Sequence, residues 1–163
     1  MVEDVAARVS NVPQIWLISS GSTGEGCLVA AVAVKEKRSK SYILRGKTIL
    51  AGGDWLWNNT EDRFDTPAKL AGLLYDIPVT IIVIDDQIPP EERRPYQDRL
   101  RELVASEGQT WKLIGSYPQT QGGIVFPNSL HVYARRPVAS LAITAPVIRL
   151  DRLRALMIRD ELR

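Results

Sequence analysis

Apolar residues in this chain come in runs whose spacing changes along its length. In VEDVAARVS, residues 2–10, Val2, Val5, Ala6 and Val9 recur at helical spacing and predict a short amphipathic helix, closed by Pro13. QIWLIS, residues 14–19, is a continuous apolar run of strand length and predicts a buried strand. A turn carrying Gly21, Gly24 and Gly26 follows. Then EGCLVAAVAVKEKR, residues 25–38, has the small residues of a helix lying close on a sheet, with a lysine-rich C-terminal end that suits the helix dipole. SYILRG, residues 41–46, predicts a second strand, and KTILAGGDWLWNNTEDRF, residues 47–64, a long irregular segment.

DTPAKLAGLLYD, residues 65–76, has helix start signals, with Asp65 or Thr66 as N-cap and Pro67 at the first helical position. PVTIIVID, residues 78–85, is a β-branched run of the kind found inside parallel sheets. DQIPPEERRP then reads as a loop, and YQDRLRELVASEG as a helix ended by Gly108. WKLIGSYP, residues 111–118, and SLHVYARR, residues 129–136, predict two strands joined by QTQGGIVFPN into an antiparallel hairpin. Beyond Arg136 comes a proline-punctuated linker, then a helical pattern with Leu150, Leu153, Leu156 and Met157 on one face.

Strand and helix alternate, which predicts an α/β fold: three layers, Rossmann-like, with right-handed crossovers and a mostly parallel sheet ending in the antiparallel hairpin. Residues 1–136 form the α/β domain, and 137–163 the linker and amphipathic helix. The length of 163 residues suits one domain with its own core, and 45% hydrophobic with 25% charged residues is globular composition. A net charge of +2, with acids interspersed among the bases, gives no footprint for nucleic acid. One cysteine and one histidine exclude a disulfide framework and the usual zinc ligand sets. MVEDVAARVSNVPQ is charged and lacks the apolar stretch of a secretory signal, and no apolar run is long enough to span a bilayer, so the chain as given reads as soluble.

The strand-to-glycine-turn sequence at residues 16–34 has the outline of a phosphate cradle. Gly21 and Gly26 stand at P-loop spacing, but Cys27 and Leu28 occupy the places of the Lys and Ser/Thr that would reach phosphate and magnesium. The order of the glycines also fails the dinucleotide fingerprint. A second half-motif, Gly46-Lys47-Thr48, has the correct P-loop ending but follows the apolar YILR instead of a glycine turn. Glu25 in the first helical turn satisfies the helix dipole and would repel a bound anion. The turn is therefore either a structural device or a ligand-contacting loop at the carboxyl end of the first strand. If there is a ligand site, the converging strand ends place it at Ser20, Gly21, Gly24, Glu25, Gly26, Arg45 and Asp86. No catalytic residue, metal ligand or cofactor is assigned.

Other constellations carry less chemistry. Cys27 near a helix N-terminus with His131 as base is a conceivable nucleophile pair, against the plainer reading of a buried small side chain and a strand histidine. Asp85 and Asp86 either end a strand in a turn or, alone or with Glu25, supply oxygen ligands to a divalent metal. As neighbours on one strand they point to opposite faces, unlike a glycosidase pair. Trp55 and Trp57 lid the core or dock a sugar, partner or membrane interface. Asn58-Asn59-Thr60 matches an N-glycosylation acceptor.

GEGCLVAAVAVKEKRSKSYILRGKTIL, the dipeptide DW, TPAKLAGLLYDIPVTIIVID, WKLIGSYP and HVYARR together resemble the C-terminal soluble region of bacterial polytopic membrane proteins similar to dolichyl-phosphate-mannose-protein mannosyltransferases, the glycosyltransferase 39-like group. The resemblance covers roughly residues 12–136. It implies an extracytoplasmic, non-catalytic accessory domain supporting acceptor binding or assembly. Its partners would be the upstream membrane-embedded part of the same polypeptide and a lipid-linked sugar or acceptor nearby. The membrane segments that carry the group's acidic catalytic residues do not occur in this sequence, so no catalytic role is carried over. Two other readings remain open: a free-standing small α/β enzyme or phospho-ligand binder using the glycine turn, and a protein-interaction module.

Overall fold

The computed structural model describes residues 1–9, 12–38, 41–52, 61–121 and 123–136. Trp55, Trp57, the Asn58-Asn59-Thr60 acceptor and the predicted C-terminal helix lie outside the described residues. The fold is α/β. Its helices are α1 (Val2–Arg8), α2 (Ser22–Lys35), α3 (Gly46–Leu50), α4 (Pro67–Asp76) and α5 (Pro95–Ser106). Its strands are β1 (Ile15–Ser19), β2 (Tyr42–Arg45), β3 (Ala51–Gly52), β4 (Glu61–Asp62), β5 (Ile81–Asp85), β6 (Trp111–Gln121) and β7 (Ile124–Arg135).

Five strands form a mixed sheet in the order β2-β1-β5-β7-β6, while β3 and β4 make a small antiparallel pair of their own. β2, β1 and β5 are parallel; β5–β7 and β7–β6 are antiparallel. The hairpin foreseen at the C-terminal end thus builds the second half of the sheet, with its later strand beside β5.

All five residues of β1 and all five of β5 are buried, which is why both read as unbroken apolar runs instead of alternating ones. Alternate residues supply two cores. Ile15, Leu17, Ile82 and Ile84 pack with Leu70 and Leu74 of α4 and with Tyr96, Leu100 and Leu103 of α5. Trp16, Ile18, Ile81 and Val83 pack with Val2 and Val5 of α1 and Val32 of α2. The helix after β1 therefore serves one core and the helix after β5 the other.

Pro67 opens α4, and the Thr66 hydroxyl accepts from the Lys69 N–H at 3.3 Å, so Thr66 is the cap of the two candidates. Pro95 opens α5, with the Gln97 side chain accepting from the Arg94 N–H at 2.8 Å. α1 is tied to the hairpin: the Tyr117 hydroxyl donates to Asp4 at 2.5 Å and Arg8 donates to the Ile114 carbonyl at 2.8 Å.

Three segments differ from the sequence-based expectation. α2 begins at Ser22, so Gly24 and Gly26 belong to its first turns and only Gly21, its N-cap, lies before the helix. The segment expected to be irregular from residue 47 opens with α3 and the first strand of the β3–β4 pair. QTQGGIVFPN is mostly strand: Gln119 pairs with Phe126, Thr120 with Val125 and Gln121 with Ile124, and Gly123 has φ 81°. Register shifts after Leu113 and Tyr117 absorb the mismatch, the second of them at Pro118.

Two glycines test this packing in opposite directions. A Cβ on Gly46 would come 2.9 Å from the Ile18 carbonyl oxygen, whereas one on Gly72, exposed on α4, meets nothing within 4 Å. We expect Gly46→Ala to cost about 1–3 kcal/mol of unfolding free energy. Gly72→Ala should gain roughly 0.5–1 kcal/mol. Urea unfolding of both variants checks the pair.

Candidate functional site

β1 and β5 are adjacent and parallel, and the chain leaves them toward opposite faces of the sheet. That makes the gap between their carboxyl ends a topological switch point, where open α/β sheets bind ligands. Ser20 and Asp85 sit there, both buried. The Ser20 hydroxyl donates to Asp85 Oδ2 at 2.5 Å, and the Asp85 carboxylate also accepts from the Gln87 N–H at 2.9 Å. Gln119 of β6, its amide nitrogen turned to the same carboxylate, stands 3.3 Å from both oxygens. Gly24 makes room for this cluster, because a Cβ there would come 2.5 Å from the Ser20 hydroxyl and 3.7 Å from Asp85.

Glu25, one residue on, is wholly buried. Its carboxylate accepts from Arg45 Nε at 3.2 Å and from the Lys47 N–H at 2.9 Å, joining α2 to the end of β2 and the start of α3. Burial, the largest influence, pushes its pKa above the ordinary glutamate range; the Lys47 N–H and the Arg45 charge oppose the shift.

A crevice of about 310 Å³ opens beside this network, between the Ser20–Gly21 turn and the start of α5. Lys47, Arg94 and Arg99 line it, as do Asp62, Glu92, Tyr96 and the buried Gln97. Gln97 Nε2 donates to the Ser20 carbonyl at 3.1 Å, fastening the helix start to the end of β1. Arg99 is paired with Asp62, whose carboxyl is raised by burial against the opposing charges of Arg99 and then Arg94. Tyr96 is held well above the usual tyrosine range, first by burial and then by the Glu25 and Asp62 charges.

No family model, curated protein or solved structure matches the chain.

Of the residues singled out from sequence, Ser20 and Gly21 line the crevice, Gly24 accommodates the Ser20–Asp85 bond, and Glu25 meets Arg45. Gly26 plays no such part, since a Cβ added there would meet nothing within 4 Å. Asp86 joins a different network. Its Oδ1 accepts from Arg101 Nε and its Oδ2 from His131 Nε2, each at 2.9 Å. A carboxylate only accepts, so Nε2 carries the proton there, and Nδ1 is hydrogen-bonded to the Ser116 hydroxyl 2.8 Å away. Both ring nitrogens are thus engaged and His131 is not the base of Cys27, which is exposed on α2 instead of buried. Asp85 and Asp86 do diverge, one toward α2 and the other toward α5 and the hairpin. Since Glu25 and Asp85 are each held by protein donors, the shared metal site considered for Asp85, Asp86 and Glu25 does not assemble; among the described residues no such group forms.

Sequence reasoning missed Lys47, Arg94, Gln97 and Arg99 as members of one site. Lys47 had a signal in Gly46-Lys47-Thr48; the others lay in an ordinary helix start and became site residues only through the return of α5 to the end of β1.

Because Glu25 has a raised native pKa, the folded state binds more protons than the unfolded state above the ordinary glutamate value of 4.5. Its contribution to stability therefore falls as pH rises from there through the native value. We expect the unfolding free energy of the wild type, relative to Glu25→Gln, to decline across that window, as read by urea unfolding at a series of pH values; a difference that rises with pH would contradict it. Gly24→Ala, measured the same way, should cost about 1–3 kcal/mol.

Proposed function

We propose that this chain is the extracytoplasmic accessory domain of a membrane glycosyltransferase-like protein, built as a Rossmann-like three-layer unit, with its ligand crevice at the end of β1. One observation carries the reading. Gly24, Glu25, Arg45, Lys47 and Asp85 of the resembling segments, far apart in sequence, come together with Ser20 at one edge of the sheet through hydrogen bonds and close packing. Helices on both sheet faces support the three-layer description. In this reading the domain holds an acceptor or the polar head of a lipid-linked sugar, while bond making belongs to the membrane-embedded part of the same polypeptide. Among the described residues no helix is long and apolar enough to cross a membrane.

The free-standing phospho-ligand binder is favoured by a separate observation, the three cations lining the crevice. The two readings part on the size and place of the native polypeptide. An antibody to this domain, used on fractionated cells of the source organism, should detect a band several times heavier than these 163 residues in the membrane fraction. Protease added outside spheroplasts should remove its epitope. A band of this chain's own mass in the soluble fraction would overturn the proposal.

A further inference from the structure

Two incomplete phosphate-binding motifs lie apart in the sequence and meet in the fold. The first, after β1, has the glycine turn and helix start but no lysine; the second, after β2, has Gly46-Lys47-Thr48 but no glycine turn. β1 and β2 are neighbours in parallel register, with Ile18 opposite Arg45. The chain continues from Ile18 to Ser20 and Gly21 and from Arg45 to Gly46 and Lys47. Gly46 lets α3 come close: the position of its Cβ would be 2.9 Å from the Ile18 carbonyl and 3.2 Å from Ser19 Cβ. As a result Lys47 lines the same crevice as Ser20 and Gly21. Arg94, the N-cap of α5, and Arg99 within that helix also line it, making three cations against the carboxylates of Asp62 and Glu92. The buried Gln97 lines the crevice beside them and is held by Ser20.

We infer that this crevice is a split phosphate cradle, which binds a phosphate monoester or diphosphate through Lys47 and Arg94 with Ser20–Gly21 as its floor. A volume of about 310 Å³ suits a ligand of sugar-phosphate size and not a full dinucleotide. Lys47 supplies a point charge and Arg94 a planar fork for phosphate oxygens, and Arg99 adds charge that Asp62 partly neutralises. Glu25 does not line the crevice. Its carboxylate is turned to Arg45 and the Lys47 N–H, so the acid that would repel an anion in the turn is already occupied by protein donors. The inference rests on the crevice being the ligand site, but not on the chain's attachment to a membrane protein.

The test uses the whole 163-residue chain, with amide chemical shifts followed during titration with inorganic phosphate, pyrophosphate and glucose 1-phosphate. The expected result is saturable movement of the Ser20, Gly21, Lys47 and Gln97 amides by at least one of these probes, weakened by salt. Lys47→Gln and Arg94→Gln should each raise Kd about tenfold, the loss of one charge-assisted hydrogen bond. Their amide spectra away from the crevice should stay those of the wild type, which shows that the fold is intact. Flotation with vesicles of neutral lipid, with and without a polyprenyl phosphate, separates the sources. Coflotation only with the phosphate-bearing vesicles, weakened by Lys47→Gln, assigns the phosphate to a lipid head; saturation by the free compounds without vesicle binding assigns it to a soluble metabolite. Failure of all the probes to give saturable shifts, or equal binding by the wild type and both variants, would overturn the inference. The native polypeptide's size and location test the accessory-domain reading separately, so that reading can fail while the cradle stands, and the reverse.

Discussion

A carboxylate shut away from water must find its partners inside the fold, and Glu25 is such a group. Its position on the first turn of α2 is fixed by helix geometry, so the partners come to it: the Arg45 guanidinium from the end of β2 and the Lys47 N–H from the start of α3. Those bonds hold the chain where it turns out of β2, and Gly46 gives the space for that turn to lie against the end of β1. The position of Lys47, and hence the charge of the crevice, follows from meeting the needs of one buried acid. Arg45 is half exposed, so the pair combines a desolvated carboxylate with a hydrated cation; the Lys47 N–H supplies a donor that does not carry a second full charge.

β5 has the corresponding place in the sheet. It is parallel to β1 on one side and antiparallel to β7 on the other, and the two acids at its end reach in different directions. Asp85 binds Ser20 and so closes the gap between the parallel strands; Asp86 binds Arg101 and His131 and so clamps α5 and the hairpin. The hairpin continues past β5, and this extension brings Gln119 to Asp85. A strand pair that would read as peripheral decoration therefore contributes to the same polar cluster as the glycine turn.

Much of the architecture was legible. β1 and β5 announce themselves as β-branched or apolar runs because each is buried on both faces, and α4 because Thr66 and Pro67 are local signals that tertiary packing did not override. The misreadings share a cause: residues with strong local meaning were placed by distant neighbours. Gly24 looks like a turn residue, yet it sits within a helix, and its lack of a side chain answers to Ser20, which any Cβ there would strike. Gly123 and Pro127 look like parts of a ten-residue loop, yet cross-strand pairing runs as far as Gln121 opposite Ile124, and register shifts accommodate the proline in β6. The site was legible only in halves. Ser20, Gly21 and Glu25 belong to a recognisable turn, but no periodicity indicates that Arg94 and Gln97 will face it from a helix some seventy residues later.

Splitting a basic residue from its glycine turn also changes what the site depends on. In a contiguous phosphate loop the lysine follows the glycines within one turn, so local backbone geometry alone sets their separation. Here Lys47 follows a different strand, at the start of α3, and its distance from Gly21 is set by the β1–β2 register, Leu17 opposite Leu44 and Ile18 opposite Arg45. A slip of one residue would move Lys47 along the sheet edge and turn every β2 side chain to the other face. Leu44 would then leave the core formed with Ile15 and Leu17, and Ile43 the one formed with Trp16 and Ile18. The burial of two ordinary hydrophobic residues, together with the partners of Glu25, thereby fixes the electrostatics of the crevice. Core packing and site geometry are one constraint at this edge of the sheet.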